Sequence, residues 1–200
     1  MTIAVYQWGM IPYAEARQRM EVVHNQAVRD GQDHLIFCEH PPCFTVGADD
    51  RENWPVETIR SDRGGSITCH SPGQLVAYLC FHAPEPARFY RRVIHVYNGL
   101  FEALGLPAEY RRKNPGWYIE NRKIASLGFR YRDGVSLHGV SLNVDVDLAL
   151  HRQVAPCGLE GIVATSLKAE GIEVTVDEIR ERLVHLWNAS GSEVFSSEKP

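Results

Sequence analysis

Two residues of this 200-residue chain stand in settings suited to covalent chemistry. The first is Cys157 in QVAPCGLEGIVATS, held between Pro156 and Gly158. Proline fixes φ ahead of the thiol and glycine permits unusual backbone behind it, a combination suited to presenting a side chain from a sharp turn. Cys38 in LIFCEH and Cys80 in VAYLCF lie among apolar neighbours instead, where a free thiol packs as a small hydrophobe. The second residue is Lys123 in NRKIASLGFRYR. Strict alternation there predicts one strand face with Lys123, Ala125, Leu127 and Phe129, and the other with Ile124, Ser126 and Gly128. A lysine held among apolar side chains loses hydration of its ammonium, which lowers its pKa and fits it to exchange protons near neutrality. The plainer alternative is a strand-end lysine whose amine reaches water.

Between these lies a glycine-rich stretch, RGGSITCHSPGQ (63–74), with glycines at 64, 65 and 73. Such a loop lets backbone approach a ligand closely, although a hairpin with an elaborate turn reads the same way. It is neither a Walker A loop nor a GxGxxG fingerprint, so nucleotide binding through either motif is not expected. His70 belongs to this loop, and His138, in GVSLHGVSLNVDV, is predicted to share a strand face with Val140, Leu142 and Val144. A histidine so placed is commonly a hydrogen-bonded core group. Cys38, His40, Cys43, Cys69 and His70 are of zinc-ligand types, but their spacing fits no paired signature and no metal is expected. Arg88, Arg91, Arg92, Arg111, Arg112, Lys113, Arg122, Arg130 and Arg132 crowd the middle of the chain. They form either a patch for an acidic protein or phosphate-bearing group, or a solvated surface.

The elements that must hold these residues follow from periodicity. Apolar residues at three- and four-residue spacing predict helices over 12–30, closed by Gly31, and over 86–104, opened by Pro86 and closed by Gly105. Thr175 and Glu178 form a capping-box pattern ahead of Ile179, Leu183 and Leu186. Strand character marks IAVYQW, HLIFCE, CFTVG, GSITCH, QLVAYLCF, GWYIE, RKIASLGFRYR and GVSLHGVSLNVDV. Strands that follow one another directly point to an α+β fold with a mixed, mainly antiparallel sheet and flanking helices, in a single domain over 1–190. The polar tail 191–200 is expected to fray. With 21 basic and 25 acidic residues the formal charge is −4, which disfavours a general nucleic-acid or membrane-surface binder. An odd five cysteines, no leader-like start and no run of 18 apolar residues together favour a reducing, cytoplasmic setting.

In order along the chain, HPPCFTVG, RGGSITCHSPGQLVAY, RKIASLG, LHGVSLNV and APCGLEGIVATS resemble the lipoyl(octanoyl) transferase family of lipoate biosynthesis. The resemblance implies a biotin/lipoate protein ligase-like fold. It also implies transfer of an octanoyl group from octanoyl-acyl carrier protein to a lysine of lipoyl domains, those of 2-oxoacid dehydrogenase complexes and the glycine cleavage H protein, without a cofactor. By position it puts the catalytic roles on Cys157 and Lys123. The substrate walls fall on Arg63, Gly64, Gly65, His70, Gly73 and Gln74, on Ser126, Leu127 and Gly128, and on His138 and Gly139. Burying the acyl chain would contribute about 0.8 kcal/mol per CH₂, with Leu75, Val76, Val140 and Leu142 as expected lining. Cys69, Ser71 and Leu159 depart from the family's tyrosine, glycine and isoleucine, and the first two bear on acyl-chain preference. The residues leave three other readings open: an ATP-dependent lipoate or biotin ligase, a non-catalytic binding module on the same scaffold, and a cysteine hydrolase pairing Cys157 with His70 or His138.

Overall fold

Alternation within strands and a helical repeat between them decide the elements of this chain, and sheet pairing decides where each goes. The computed structural model describes residues 3–154 and 161–190; Cys157, Leu159 and the tail 191–200 lie outside the described residues. In chain order the elements are β1 (Ala4–Met10), α1 (Tyr13–Asp30), β2 (His34–Glu39), β3 (Cys43–Val46), β4 (Ile59–Arg60), β5 (Thr68–His70), β6 (Gln74–Cys80), α2 (Pro86–Ala103), β7 (Glu109–Arg111), β8 (Gly116–Ile119), β9 (Arg122–Arg132), β10 (Val135–Asn143), α3 (Leu148–His151), β11 (Val163–Ala164) and α4 (Val176–Ser190). The large sheet runs β1-β2-β6-β10-β9-β8-β7, with β11 paired to β9, and a small sheet runs β4-β3-β5. Within the large sheet only β1–β2 and β11–β9 are parallel, so the expected mixed and mainly antiparallel α+β architecture holds.

The predicted helices form where their punctuation falls. Gly31 closes α1 in the left-handed region at φ 73°, its N–H donating to Ala27 O at 3.1 Å. At the start of α4 the capping box is made in both directions: Thr175 N donates to Glu178 Oε2 at 2.7 Å, and Glu178 N to Thr175 Oγ1 at 3.2 Å. The short β4, β7 and β11 and the single turn of α3 carry too few residues to show a period, and only tertiary pairing defines them.

β6 shows how the sheet divides the interior. Leu75, Ala77 and Leu79 pack into one core with Phe89, Val93 and Leu100 of α2 and Ile179, Leu183 and Trp187 of α4. Val76, Tyr78 and Cys80 face the other way, into a second core with Ala16, Met20, Val23 and Ala27 of α1. The small sheet has its own cluster of Phe44, Val46, Ile67 and Cys69, which Val154 joins. It covers the part of the α1 face of the large sheet that α1 leaves open, and a cleft remains between the two sheets. Among the described residues no helix is long and apolar enough to cross a membrane. Leu183 is fully buried, so Leu183→Ala is expected to cost about 2–5 kcal/mol of stability, read from the urea midpoint.

Candidate active site

The cleft between the sheets exists because two backbones approach closely at a glycine. Gly64 N donates to Phe129 O at 3.0 Å, which lays the 63–65 loop on β9. A Cβ on Gly128 would stand 2.7 Å from Gly64 O, so only glycine permits this contact. Arg63 is clamped beside it, donating to Gly64 O at 3.0 Å and to Thr45 O and Oγ1 at 2.8 and 2.9 Å. The cleft is lined on one side by Arg63, Gly65, Ser66, Thr68 and His70, and on the other by Val76, Tyr78, Ser126, Gly128 and Ser141, with Lys123 at one end.

Lys123 reaches the cleft against the simple alternation. Trp117 pairs with Ala125 but Tyr118 pairs with Lys123, so Ile124 is one residue too many for β8. This β-bulge puts Ile124 and Ala125 together in the α2–α4 core and turns Lys123 to the side of Ser126. The expected face shared by Lys123, Ala125, Leu127 and Phe129 is therefore corrected. Lys123 is only 3% exposed. Its Nζ lies 3.4 Å from Asn114 O and 5.2 Å from the centre of the Tyr118 ring. Gly116 makes room for the stem, since a Cβ there would meet Ala125 O at 2.2 Å and Lys123 Cε at 2.7 Å.

Lys123 also lines a second cavity, with Thr68, Cys69, Gln74, Ser126, Asn143, His151, Val154 and Ala164. Val154 is the last described residue before 155–160, and on the far side Ala164 pairs with Lys123 while Thr165 N donates to Lys123 O at 3.0 Å. Arg122 and Thr165 both donate to Glu170 Oε1, at 2.8 and 2.6 Å, tying that returning strand to β9. Val154 and Ala164, which lie on either side of 155–160 in the chain, thus both line the cavity that Lys123 borders.

A directional hydrogen-bond chain stiffens the rest. Asn143 donates to Thr165 O at 2.8 Å and accepts from Gln74 Nε2 at 2.9 Å. Gln74 Oε1 then accepts from His70 Nδ1 at 2.7 Å, and the Thr45 hydroxyl, which accepts from Arg63, donates to His70 Nε2 at 3.1 Å. His40 donates from Nδ1 to Ile11 O and accepts from the Tyr78 hydroxyl, both at 2.8 Å. Burial holds both imidazoles below the ordinary histidine range, His70 far below it. With both ring nitrogens of His70 engaged, no nitrogen remains to serve a cysteine as base.

His138 departs from its predicted face. Its backbone is left-handed at φ 64° in the middle of β10, and the ring turns from the Val140, Leu142 and Val144 side to meet Tyr78 edge-on at 6.4 Å in the cleft. Burial keeps this histidine neutral, so Nε2–H donates to Asp62 at 2.9 Å. That bond, with Arg17 and Arg130 nearby, holds the Asp62 carboxyl far below its usual range.

Gly139 also lines the cleft, in register with Gly128. Gly64 supports it through β9, Gln74 acts from the second cavity, and Gly73 sits at the hairpin where its N–H meets Glu39 Oε2 at 2.7 Å. Of the expected apolar lining, Val76 and Val140 reach the cleft, but Leu75 and Leu142 pack in the opposite core. Sequence reasoning missed Tyr13, Thr45, Asp62, Asn114 and Asn143, which carry no local motif; the left-handed turn at Asn114, φ 58°, was legible only as an Asn-Pro punctuation. Burial raises the thiols of Cys38, Cys43, Cys69 and Cys80, Cys43 to about 11 and Cys69 and Cys80 to about 12, which makes them poor nucleophiles. Among the described residues no group of three or more His, Cys, Asp or Glu is arranged to hold a metal.

Residues 12–187 match the family described as lipoyl protein ligase A/B catalytic domain. The chain belongs to that family. An octanoyltransferase of Pseudomonas entomophila is 35% identical over 90% of this chain and 88% of its own length, and one of Pseudomonas putida is 37% identical over 88% and 86%. The chain is thus an enzyme, a transferase of the lipoate ligase family. The fold is shared with a lipoate-protein ligase A solved with ATP bound, at TM-score 0.76 and 17% identity over 95% of this chain and 85% of that one. A Thermoplasma acidophilum putative lipoate protein ligase with bound lipoic acid gives 0.74 and 16% over 95% and 86%. A Leishmania major biotin protein ligase is more distant, at 0.57 and 14% over 95% and 75%.

Gly128→Ala is expected to push the 63–65 loop off β9 and to lower kcat/KM for acyl transfer by ~10-fold to 100-fold, since small displacements in a site are costly. A variant with unchanged kinetics would show that the loop contact does not shape the cleft. The buried histidines set the acid limb of stability. His70, His138 and His151, the last held to about 4, bind protons less readily folded than unfolded. Stability is therefore full above about pH 6.5 and declines as pH falls towards 4, and His151→Gln should flatten that decline. Urea denaturation at several pH values checks this, and a flat wild-type curve across that window would contradict it.

Proposed function

We propose that this enzyme moves an octanoyl group from octanoyl-acyl carrier protein to a lysine amine of lipoyl domains, through a thioester on Cys157. The acceptors are the lipoyl domains of 2-oxoacid dehydrogenase complexes and the glycine cleavage H protein. The observation that carries the reading is the position of Lys123, buried where two cavities meet, with Val154 and Ala164 at its sides. Cys157 follows Val154 by three residues, a span of about 10 Å at full extension. The four described thiols are all raised by burial, whereas the Pro-Cys-Gly setting suits a presented nucleophile.

In this mechanism Lys123, as the free amine, takes the proton of Cys157, because burial disfavours a lysine's charged form and so leaves more of it as the proton-accepting amine than in a solvated lysine. The thiolate attacks the thioester carbonyl, the new carbon–sulfur bond forms, and the bond to the carrier's sulfur breaks. Lys123 returns its proton to the departing thiolate. The acceptor lysine, as its free amine, then attacks the acyl-Cys157. Lys123 takes the proton released as the amide forms and hands it to the Cys157 thiolate as that carbon–sulfur bond breaks. A donor already activated as a thioester needs no nucleotide. His40 and His70, each hydrogen-bonded at both ring nitrogens, leave the proton traffic to the lysine.

Intact-protein mass spectrometry after mixing with octanoyl-acyl carrier protein should find one octanoyl group, mapped to Cys157. Cys157→Ser should form no thioester adduct, and Lys123→Ala should form it ~10²- to 10⁴-fold more slowly. No adduct, with lipoyl-domain modification only when ATP and free octanoate are supplied, would replace the transferase reading with a ligase.

A further inference from the structure

The largest concavity described lies on the opposite side of β8 from the cleft. It is a groove of about 580 Å³, against about 50 Å³ for the cleft itself. Its wall is aromatic and aliphatic: Tyr90 and Ile94 of α2, Tyr110 of β7 and Tyr131 of β9. Arg91 and Arg112 stand at its rim, and no carboxylate lines it. Both arginines are exposed, and neither has an ion pair within the described protein. Exposed Arg88 and Lys113 flank them in sequence. This is a basic rim on a chain whose formal charge is −4. The Tyr131 hydroxyl is buried there without a hydrogen-bond partner, a cost that a bound partner's acceptor would relieve.

The groove is joined to the catalytic residues by one turn. Arg112 precedes Asn114 by two residues, about 7 Å of chain at most. The Asn114 carbonyl accepts from Lys123, and Asn114 and Pro115 line the cleft. Resting on the proposed reaction, we infer that this groove is the docking surface for an acidic protein, the acyl carrier. Its acidic side chains pair with Arg91 and Arg112, an apolar side chain packs onto the wall of Tyr90, Ile94 and Tyr110, and its thioester arm passes the 112–115 turn into the cleft. Opposite charge across such a surface raises the association rate and fixes orientation, and both effects weaken with salt.

The test compares two octanoyl donors with the full-length protein: octanoyl-acyl carrier protein and the carrier-free octanoyl-pantetheine. The double variant Arg91→Glu, Arg112→Glu should lose ~10-fold or more in kcat/KM with the carrier-borne donor and its salt dependence, while the carrier-free donor changes less than ~2-fold. Tyr131→Phe should weaken binding of the carrier without lowering the urea midpoint, because the hydroxyl it removes has no partner in the free protein. Equal losses with both donors, no loss with either, or a changed KM for the lipoyl-domain acceptor alone would each overturn the docking assignment. Titrating labelled carrier onto wild type and the double variant reads docking without turnover. Loss of binding on charge reversal would uphold the surface even if transfer proceeds by another chemistry. Transfer from neither donor by the wild type would count against the reaction rather than the groove, and unaltered carrier binding by the variant against the groove.

Discussion

Between Trp117 and Tyr118 the β8–β9 ladder skips one residue, and the skip at Ile124 reverses the side on which Lys123 emerges. Without it the lysine would lie on the face that packs against α2 and α4, where an ammonium has no partner and no water. With it, the same strand supplies Ile124 and Ala125 to the core and Lys123 and Ser126 to the cleft, while Leu127 borders both. A bulge gives up regular pairing at one position, and here the core packing of Ile124 and Ala125 on consecutive residues offsets that loss. The consequences spread outward. Gly116 has to lack a side chain to admit the lysine stem, and Asn114 has to turn in the left-handed region to offer its carbonyl. β11 closes the other flank, bringing the chain back beside Lys123 just after residues 155–160.

The cleft around this lysine is bordered by Arg63 and backed by uncharged polar side chains. Asn143, Gln74, His70 and Thr45 form a chain in which every donor and acceptor has a defined direction, ending on Arg63. Such a network is stable in a dry interior only when complete, since one unsatisfied member would cost more than an apolar substitute. Its completeness fixes the small sheet against the large one, while burial holds the imidazoles of His40 and His70 below their ordinary range. The left-handed backbone at His138 belongs to the same design: it takes a ring out of one core and aims it at Asp62, at the edge of the cleft. Strain of this kind persists where the surroundings over-determine it.

The two sides of β8 carry different surfaces. Towards α1 and the small sheet lies the narrow cleft; towards α2 lies the wide aromatic groove with its arginine rim. The turn between β7 and β8 belongs to both, because Arg112 borders the groove while Asn114 and Pro115 border the cleft. A short connection of this sort lets one surface hold a large partner while the other handles a small reacting group.

Much of this molecule was legible in its sequence. Helical spacing and the signals at Gly31, Pro86, Thr175 and Glu178 are interactions among residues a few positions apart, so local order alone reveals them. The strand character of QLVAYLCF was equally plain, but its division between two cores was not, because a strand buried on both faces is apolar almost throughout. The ordered motifs around Arg63, Lys123, His138 and Cys157 were enough to suggest the family. What the sequence left open is whatever depends on two distant segments meeting. The bulge at Ile124 arises from pairing with β8, and the ring of His138 turns because Tyr78 and Asp62 await it. Thr45, Asn114 and Asn143 join the site only because the sheets bring them there. Residue type and spacing determined which groups this chain carries and how each segment folds; the tertiary structure alone decided which way they face, because a side chain's direction depends on the ladder its strand has joined.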